Sequence, residues 1–230
     1  MKYFPVVLTL LCGVTSAMAQ TNSPSTTPET LPAVTVTEIS APYEEALVGP
    51  YQQPEWTARR RFARTRSYVL PPWQVETEFG WRTTYPRAGK PNHKLTQEIE
   101  LGLPYRFQVD YQAAETVAND VWRYDSSAFE LRWAIADWGK VPLNPTMKAE
   151  WKINDAAADA YGLTLSLGDE IAPRWHWGAE LFYEQQVGDN RETEYAISQA
   201  VSYTVIDQKF SVGVEMKLAD DTEKGDRHAH

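Results

Sequence analysis

Apolar and polar residues alternate along most of the chain after Pro71. Such alternation places successive side chains on the two opposite faces of a β-strand. Roughly nine consecutive runs show it, each about 10 residues long, which is the length that a tilted strand needs to cross a membrane. No helical period competes with this pattern. The sequence therefore predicts an all-β fold, an antiparallel up-and-down transmembrane β-barrel over residues 71–219.

The polar face of these runs carries charged residues on nearly every predicted strand. An unpaired ion in a dry core costs several kcal/mol, so this face is predicted to surround a watery or salt-bridged lumen while the apolar face contacts lipid. Opposite charges on neighbouring strands can pair and close the lumen, or charged rings can line a pore that favours cations or neutral solutes. The predicted lumen-facing charged residues are Glu76, Glu78, Arg82, Glu98, Glu100, Arg106, Asp110, Glu130, Arg132, Lys148, Glu150, Lys152, Glu180, Glu184, Glu215 and Lys217.

Aromatic residues cluster near the ends of the predicted strands, as in the two aromatic belts that lie at the headgroup layers of a membrane. The predicted membrane-interface aromatics are Trp73, Tyr85, Trp138, Trp151, Tyr161, Trp175, Tyr195 and Tyr203.

The predicted connections alternate between long and short, as they do in outer-membrane barrels with longer external loops and short periplasmic turns. The longer, polar connections are 86–92, 114–123, 154–160 and 187–192, and the tighter ones are 104–105, 137–142, 169–173 and 205–208.

The first 19 residues have the features of a cleaved secretory signal peptide. Lys2 precedes an apolar stretch, and Ala17-Met18-Ala19 is a small-x-small cleavage site. Cys12 is the single cysteine, and Leu11 before it argues against a lipid anchor. The sequence therefore predicts export to the outer membrane of a Gram-negative bacterium, with no disulfide in the mature chain.

Two segments without strand periodicity separate the signal peptide from the barrel. Residues 20–54 are rich in Pro, Ser and Thr and are predicted to be a disordered linker. Residues 55–70 form a basic segment with arginines at 59, 60, 61, 64 and 66. This segment is either a solvated turn or short helix, or it lies against anionic headgroups or the acidic mouth of the barrel.

The strand count predicts an incomplete barrel, because single-chain bacterial barrels have an even number of strands. Nine strands end near Ala219, and residues 220–230 are predicted to be a polar tail or a truncated external loop. We expect a C-terminal truncation; the alternatives are a tenth strand from residues 66–70, or edge-to-edge pairing of protomers.

Composition excludes several classes of protein. The 230-residue chain has a formal net charge of −9, which argues against nucleic-acid binding. Its mean hydropathy is −0.48, and beyond residue 20 no apolar run is long enough for a membrane-spanning helix. The histidines are scattered, so no metal, cofactor or catalytic site is predicted. His176 is the only candidate partner for a nucleophile, and a lumen histidine in a salt-bridge network is the alternative.

Three short motifs carry a family resemblance: Pro71-Pro-Trp-Gln-Val-Glu76, Glu98-Ile-Glu-Leu-Gly-Leu103 and Arg106-Phe-Gln-Val109. They resemble the bacterial outer-membrane β-barrel transporters labelled after the MetA pathway of phenol degradation, over roughly residues 56–218. The resemblance implies uptake of small, often apolar or aromatic compounds and no catalytic residues. The chain departs from that family at the turn Pro104-Tyr105 and in lacking a closing strand with a terminal aromatic.

The leading functional prediction is a porin-like barrel in contact with outer-membrane lipid, which passes small solutes across that membrane. The alternatives are a non-conducting structural or adhesive outer-membrane barrel, and a secreted soluble β-barrel that binds a ligand. The solute and the oligomeric state stay open.

Overall fold

The computed structural model describes residues 10–11, 43–59, 61–62, 65–85, 90–118, 121–188 and 192–222. The predicted signal peptide, apart from Leu10–Leu11, and residues 223–230 of the predicted tail lie outside the described residues. The described helical structure consists of the short 3-10 helices Tyr43–Glu45, Glu55–Ala58 and Pro104–Arg106. In these ranges no helix has the length and apolar character that crossing a membrane requires.

The fold is all-β, as predicted, and its main element is a curled antiparallel sheet of nine long strands that forms a half-barrel. Each long strand pairs with its neighbours in sequence, as in an up-and-down meander. The strands are β1 (Leu10–Leu11), β2 (Leu47–Val48), β3 (Gln53–Pro54), β4 (Val75–Thr84), β5 (Asn92–Leu103), β6 (Phe107–Ala118), β7 (Val121–Ala134), β8 (Thr146–Asn154), β9 (Ala160–Ala172), β10 (Trp175–Gln186), β11 (Thr193–Ile206) and β12 (Phe210–Thr222).

The half-barrel has two edges, β4 and β12, which do not pair with each other within the described residues. The two-residue strand β1 pairs with β4 opposite Trp81 and Gly80. Residues 66–70 form no strand, so the alternative that they supply a tenth one is wrong.

The two faces of the sheet differ as the alternation predicts. Apolar side chains stand exposed along the convex face; Val75, Leu131 and Val214, for example, are 59%, 47% and 77% exposed. Charged side chains such as Glu100 and Arg132 are buried on the concave face. The sheet thus exposes its apolar face and covers its ionic face.

The concave face is covered by the described residues of 43–71, here called the inner segment. The inner segment contains the first two 3-10 helices and the hairpin of β2 and β3, and then runs along the concave face. Two small hydrophobic clusters join the inner segment to the nine-stranded sheet, here called the wall. Tyr51 and Tyr68 belong to one cluster, Trp56 and Phe62 belong to the other, and Trp138 packs against both. Of the predicted disordered linker, residues 20–42 lie outside the described residues, and residues 43–54 contact the sheet through Glu44, Glu45 and Tyr51.

Two connections differ from the prediction. The polar stretch 114–123 is mostly strand, because β6 continues to Ala118 and β7 begins at Val121. The longest connection between the nine strands is instead 135–145, where a tight turn was predicted. This connection carries Trp138 to the inner segment, where its half-buried side chain packs against both clusters, so Trp138 does not lie on the exposed apolar face where the membrane-interface prediction put it.

Candidate functional site

The concave face carries a row of carboxylates on five consecutive strands, β4 to β8. The strand register places Glu76 opposite Glu100, Glu100 opposite Asp110, Asp110 opposite Glu130, and Glu130 opposite Glu150. We call these five residues the acid row. Like charges directly opposite each other on neighbouring strands are destabilising, so the acid row needs cations close by.

The inner segment supplies the cation at the β4–β5 end of the acid row. Arg66 Nη2 lies 2.6 Å from Glu76 Oε2 and also contacts Glu100 Oε2. The side chains of Arg66 and Glu100 are 1% and 0% exposed, so this ion pair is fully buried. Gln108 completes the group by donating from Nε2 to Glu100 Oε2 at 3.1 Å. A residue outside the sheet therefore balances two of the five carboxylates.

The wall itself supplies the cations for the rest of the acid row. Arg132 Nε lies 2.6 Å from Asp110 Oδ2, and its Nη2 lies 2.7 Å from Glu130 Oε2. Lys148 Nζ lies 3.1 Å from Glu130 Oε1 and 2.9 Å from Glu150 Oε2. The acid row and its three cations thus form one continuous charge network from β4 to β8.

The other predicted lumen residues lie at several places around this network. Glu78 and Glu98 are buried on the same face, and Arg82 lies on it but is exposed. Glu98 accepts a hydrogen bond from Gln112, and Glu180 accepts one from the backbone N–H of Arg66 at 3.0 Å. Among the remaining strand residues, Lys152 on β8 pairs with Glu184 on β10, and Lys217 on β12 pairs with Glu194 on β11. Glu215 contacts Thr65.

Arg106 does not lie on the concave face, contrary to the prediction. It belongs to the turn between β5 and β6, and its backbone has a φ of 66°. Its guanidinium lies 3.0 Å from Asp137 Oδ1 in the next connection, and its Nε donates to the carbonyl of Ala134. The turn is one residue longer than the alternation indicates, so β6 begins at Phe107 and Arg106 links two turns.

Wall side chains hold the backbone of the inner segment. Glu215 on β12 accepts hydrogen bonds from Thr65 N at 3.1 Å and from Thr65 Oγ1 at 2.9 Å. Gln108 Oε1 accepts a hydrogen bond of 2.7 Å from Leu70 N. The side chains of the sheet therefore take the place of a strand partner for this part of the segment.

Glycines in the wall let the inner segment approach closely. A Cβ at Gly168 would lie 2.6 Å from Ser67 Cβ, and a Cβ at Gly102 would lie 2.0 Å from the carbonyl oxygen of Pro71. Neither contact leaves room for a methyl group, so both positions need glycine while the segment is in place.

The first half of the inner segment binds the turn end of the sheet. Tyr51 donates from its hydroxyl to the carbonyl of Leu103 at 3.0 Å and accepts from the backbone N–H of Arg106 at 2.9 Å. The carbonyl of Tyr51 accepts from Trp138 N at 3.0 Å. Tyr68 donates to the carbonyl of Ala136 at 2.6 Å, and its burial, together with the charge of Asp137, raises its pKa. These tyrosines join the β5–β6 and β7–β8 connections.

Glu44 and Glu45 bind the remaining turns at the same end. Glu45 Oε1 accepts from Arg174 N at 2.8 Å, between β9 and β10. Glu44 accepts from Thr204 Oγ1 at 2.6 Å and from the backbone N–H of Gln208, and Arg61 Nη2 lies 2.8 Å from its carboxylate. Burial alone would raise the pKa of Glu44, but these hydrogen bonds and the charge of Arg61 lower it below the usual 4.5.

His176 is fully buried on the concave face, where its ring lies against Trp56 with the ring centroids 4.5 Å apart. Within the described residues neither ring nitrogen has a hydrogen-bond partner, and the same is true of Trp56 Nε1. His176 is thus part of an aromatic contact and not of the salt-bridge network considered from the sequence.

Most predicted membrane-interface aromatics lie on the exposed apolar face. Trp73, Tyr85, Trp151, Trp175 and Tyr195 are exposed, and Tyr161 and Tyr203 are half-buried. Trp175 and Tyr203 are cross-strand neighbours with ring centroids 5.1 Å apart. Trp138 is the one member of the set that lies inside, for the reason given above.

Two groups of carboxylates have the proximity that a metal ion would require. The first group consists of Glu76, Glu78 and Glu100, and the second consists of Glu98, Asp110 and Glu130. Within each group, one oxygen atom from each carboxylate lies within 4.8 Å of the other two. Each group already contacts an arginine, Arg66 in the first case and Arg132 in the second. The guanidinium groups therefore supply the positive charge that a metal ion would otherwise provide.

Sequence reasoning missed Tyr51, Glu44 and the individual role of Arg66. A signal was present, because arginines and aromatics are concentrated in residues 55–70 of an otherwise acidic chain. The acidic mouth of the barrel was among the alternatives left open, whereas residues 65–70 lie on the acidic concave face itself.

No family model matches the chain, and no curated protein and no solved structure is significantly similar to it. The family resemblance drawn from the three short motifs therefore stays a proposal.

Proposed function

We propose that the protein is an exported outer-membrane β-barrel that passes small solutes along its charged concave face. The observation that carries this proposal is the partition of the sheet: apolar side chains are exposed on the convex face while the ionic ones are covered. A water-soluble protein of this size does not normally leave a whole sheet face of large apolar side chains in water. Lipid tails are a suitable solvent for that face.

The aromatic residues support the same orientation. Exposed Trp and Tyr side chains lie near the ends of several strands, as Trp73, Tyr85 and Tyr195 do. Amphipathic rings in such positions fit the boundary between hydrocarbon and headgroups. The signal-peptide features of residues 1–19 and the three family-like motifs agree with export and with a transport role.

The acid row supports a preference among solutes. Five carboxylates face three cations, so a path along this wall favours cations or neutral compounds over anions. The family resemblance adds small apolar or aromatic compounds as solutes. Both classes of solute are part of the proposal and are separated by flux measurements.

Membrane insertion requires that both sheet edges be paired, because unsatisfied backbone groups in hydrocarbon cost several kcal/mol each. Eight successive antiparallel pairings make β4 and β12 run in the same direction. An odd number of further strands, each antiparallel to its neighbours, would therefore close the barrel with antiparallel pairs throughout.

A second function is favoured by one specific observation: the inner segment and the buried ion pairs occupy the concave face. A barrel filled in this way is also suited to a non-conducting structural or adhesive role. This alternative predicts a membrane protein that never conducts under any condition.

Two measurements test the proposal. In fractionated cells we expect the protein in the outer membrane and resistant to alkaline extraction; recovery from the periplasm or medium without detergent would instead favour a soluble ligand-binding barrel. In planar bilayers we expect single-channel events with potassium more permeant than chloride. Silence of the membrane-inserted protein at every salt concentration and voltage, also after the segment-displacing changes described below, would favour the structural role.

A further inference from the structure

We propose that the inner segment is a displaceable plug, which closes the solute path when its residues 65–70 lie against the concave face and opens it when they leave. This inference rests on the proposed function, since a plug regulates a path only if the path conducts. Three features of the contact between segment and wall carry it.

The first feature is the kind of contact. Strands of the wall are joined by continuous backbone ladders, whereas the segment is held by side chains of Glu215, Glu180 and Gln108 that accept from its backbone N–H groups. Water can replace such acceptors one at a time, so the segment can leave without breaking any ladder of the sheet. The strand pairing of the wall and its register stay unchanged.

The second feature is position. Thr65 contacts Glu215 on β12, while the adjacent Arg66 contacts Glu76 on β4. Two consecutive residues therefore reach both edge strands of the half-barrel, and the chain at this point crosses the middle of the concave space. A solute moving along the concave face past Glu76 or Glu215 meets these two residues.

The third feature is charge. Arg66 supplies one of the three cations that balance the acid row. When it leaves, Glu76 and Glu100 stay opposite each other without the guanidinium between them. The acid row then holds five carboxylates against Arg132 and Lys148, so displacement of the plug also makes the path more selective for cations.

Hydrogen bonds attach the chain to the sheet on both sides of residues 65–70, which are themselves buried against the sheet. Residues 44–51 bind the turns at one end of the sheet through Glu44, Glu45 and Tyr51. At the other end, Trp73 N donates to the carbonyl of Gly102 and Gly102 N donates to the carbonyl of Gln74. Movement is therefore expected between these anchors, as in a tethered loop.

The test uses a reversible lock between plug and wall. Thr65 Oγ1 and Ser198 Oγ lie 3.3 Å apart, so the double variant Thr65→Cys/Ser198→Cys is placed to form a disulfide. Ala113→Cys/Ser127→Cys is the matched control, because these residues are directly opposite each other on β6 and β7 and join wall to wall. The channel current of each double variant is measured in bilayers under oxidising and reducing conditions. Far-UV circular dichroism checks that the β-sheet has folded.

Arg66→Met is the change that should displace the plug. We expect at least about tenfold more open-channel time than in the wild type, with a larger ratio of potassium to chloride permeability, because one buried cation is lost. In the Arg66→Met background, the oxidised disulfide between positions 65 and 198 should return the current to the wild-type level. Reduction of this disulfide should bring back the larger current of Arg66→Met. The wall-to-wall control should leave the current unchanged under both conditions.

Thr65→Val provides a second route to the same state if Arg66→Met fails to fold. It removes the hydroxyl contacts with Glu215 and Ser198 and leaves the acid row intact, and we expect a severalfold rise in open-channel time.

The outcomes separate the two proposals. If Arg66→Met conducts equally whether the lock is oxidised or reduced, or if folded Thr65→Val conducts no more than a conducting wild type, the path lies elsewhere: the plug is wrong and the transport function stands. If correctly folded displaced variants never conduct, the transport function is wrong and the plug is wrong with it. An anion preference in Arg66→Met would also contradict the plug, since it would show that the exposed acid row does not line the path.

Discussion

Arg66 offers the sharpest test of how the concave face is stabilised. Replacing it by methionine keeps the apolar part of the side chain and removes the guanidinium from Glu76 and Glu100. Removing one partner of a buried ion pair leaves the other charge without compensation and costs about 3–5 kcal/mol. This cost for buried pairs applies to Arg66 and Glu100, because their side chains are 1% and 0% exposed. We therefore expect Arg66→Met to lower the free energy of unfolding by about 3–5 kcal/mol.

Arg59→Met is the matched control for this change, because it removes the same group from the same segment. Arg59 and Glu55 have side chains that are 33% and 20% exposed, and a pair of this kind contributes about 0–1 kcal/mol. Glu100→Gln in the Arg66→Met background should recover part of the loss, because it neutralises a buried carboxylate that no longer contacts the guanidinium.

The assay is denaturant unfolding of the purified, folded protein, followed by far-UV circular dichroism of the β-sheet. Comparable losses of unfolding free energy in Arg66→Met and Arg59→Met would show that burial does not increase the contribution of the Arg66 ion pair to stability. A Glu100→Gln change that destabilises the Arg66→Met protein further would show that Glu100 is held by other groups, and either result would refute the account of the acid row.

Three further changes test other parts of the site. Gly168→Ala should destabilise the protein by about 1–3 kcal/mol, because its methyl group meets Ser67, whereas Gly80→Ala, with its nearest heavy atom at 3.6 Å, should cost less; equal effects in thermal unfolding would contradict the close contact. His176→Phe should raise stability by about 1 kcal/mol, because it keeps a ring in place and removes two buried nitrogens without partners; a loss measured in urea would show that those nitrogens are satisfied. The lowered pKa of Glu44 predicts stability that is present above pH 4.5 and is lost as the pH falls through the folded-state pKa, so Glu44→Gln should weaken this acid dependence; an unchanged pH profile would contradict the role of that carboxylate.

The sequence determined the strands and their two faces. Alternation depends only on the period of the pleat, so the positions of Leu131 and Arg132 on opposite faces follow from their order in the chain. The nine long strands and the exposure of the apolar face agree with that pattern. The bounds of individual strands were less predictable, as β6 and β7 show, because polar residues can extend a hairpin beyond the point where alternation weakens.

Only the tertiary structure decided which charges meet. Alternation assigns Glu76, Glu100 and Asp110 to one face, but whether they stand opposite each other depends on strand register, which the turns and the packing of whole strands determine. The place of Arg66 is more remote from sequence reasoning, because an aperiodic segment carries no local signal of the surface that it will cover. Its burial depends on the curl of a sheet whose strands are distant in sequence, since only a curled sheet brings carboxylates from β4 and β12 within reach of adjacent residues of one segment.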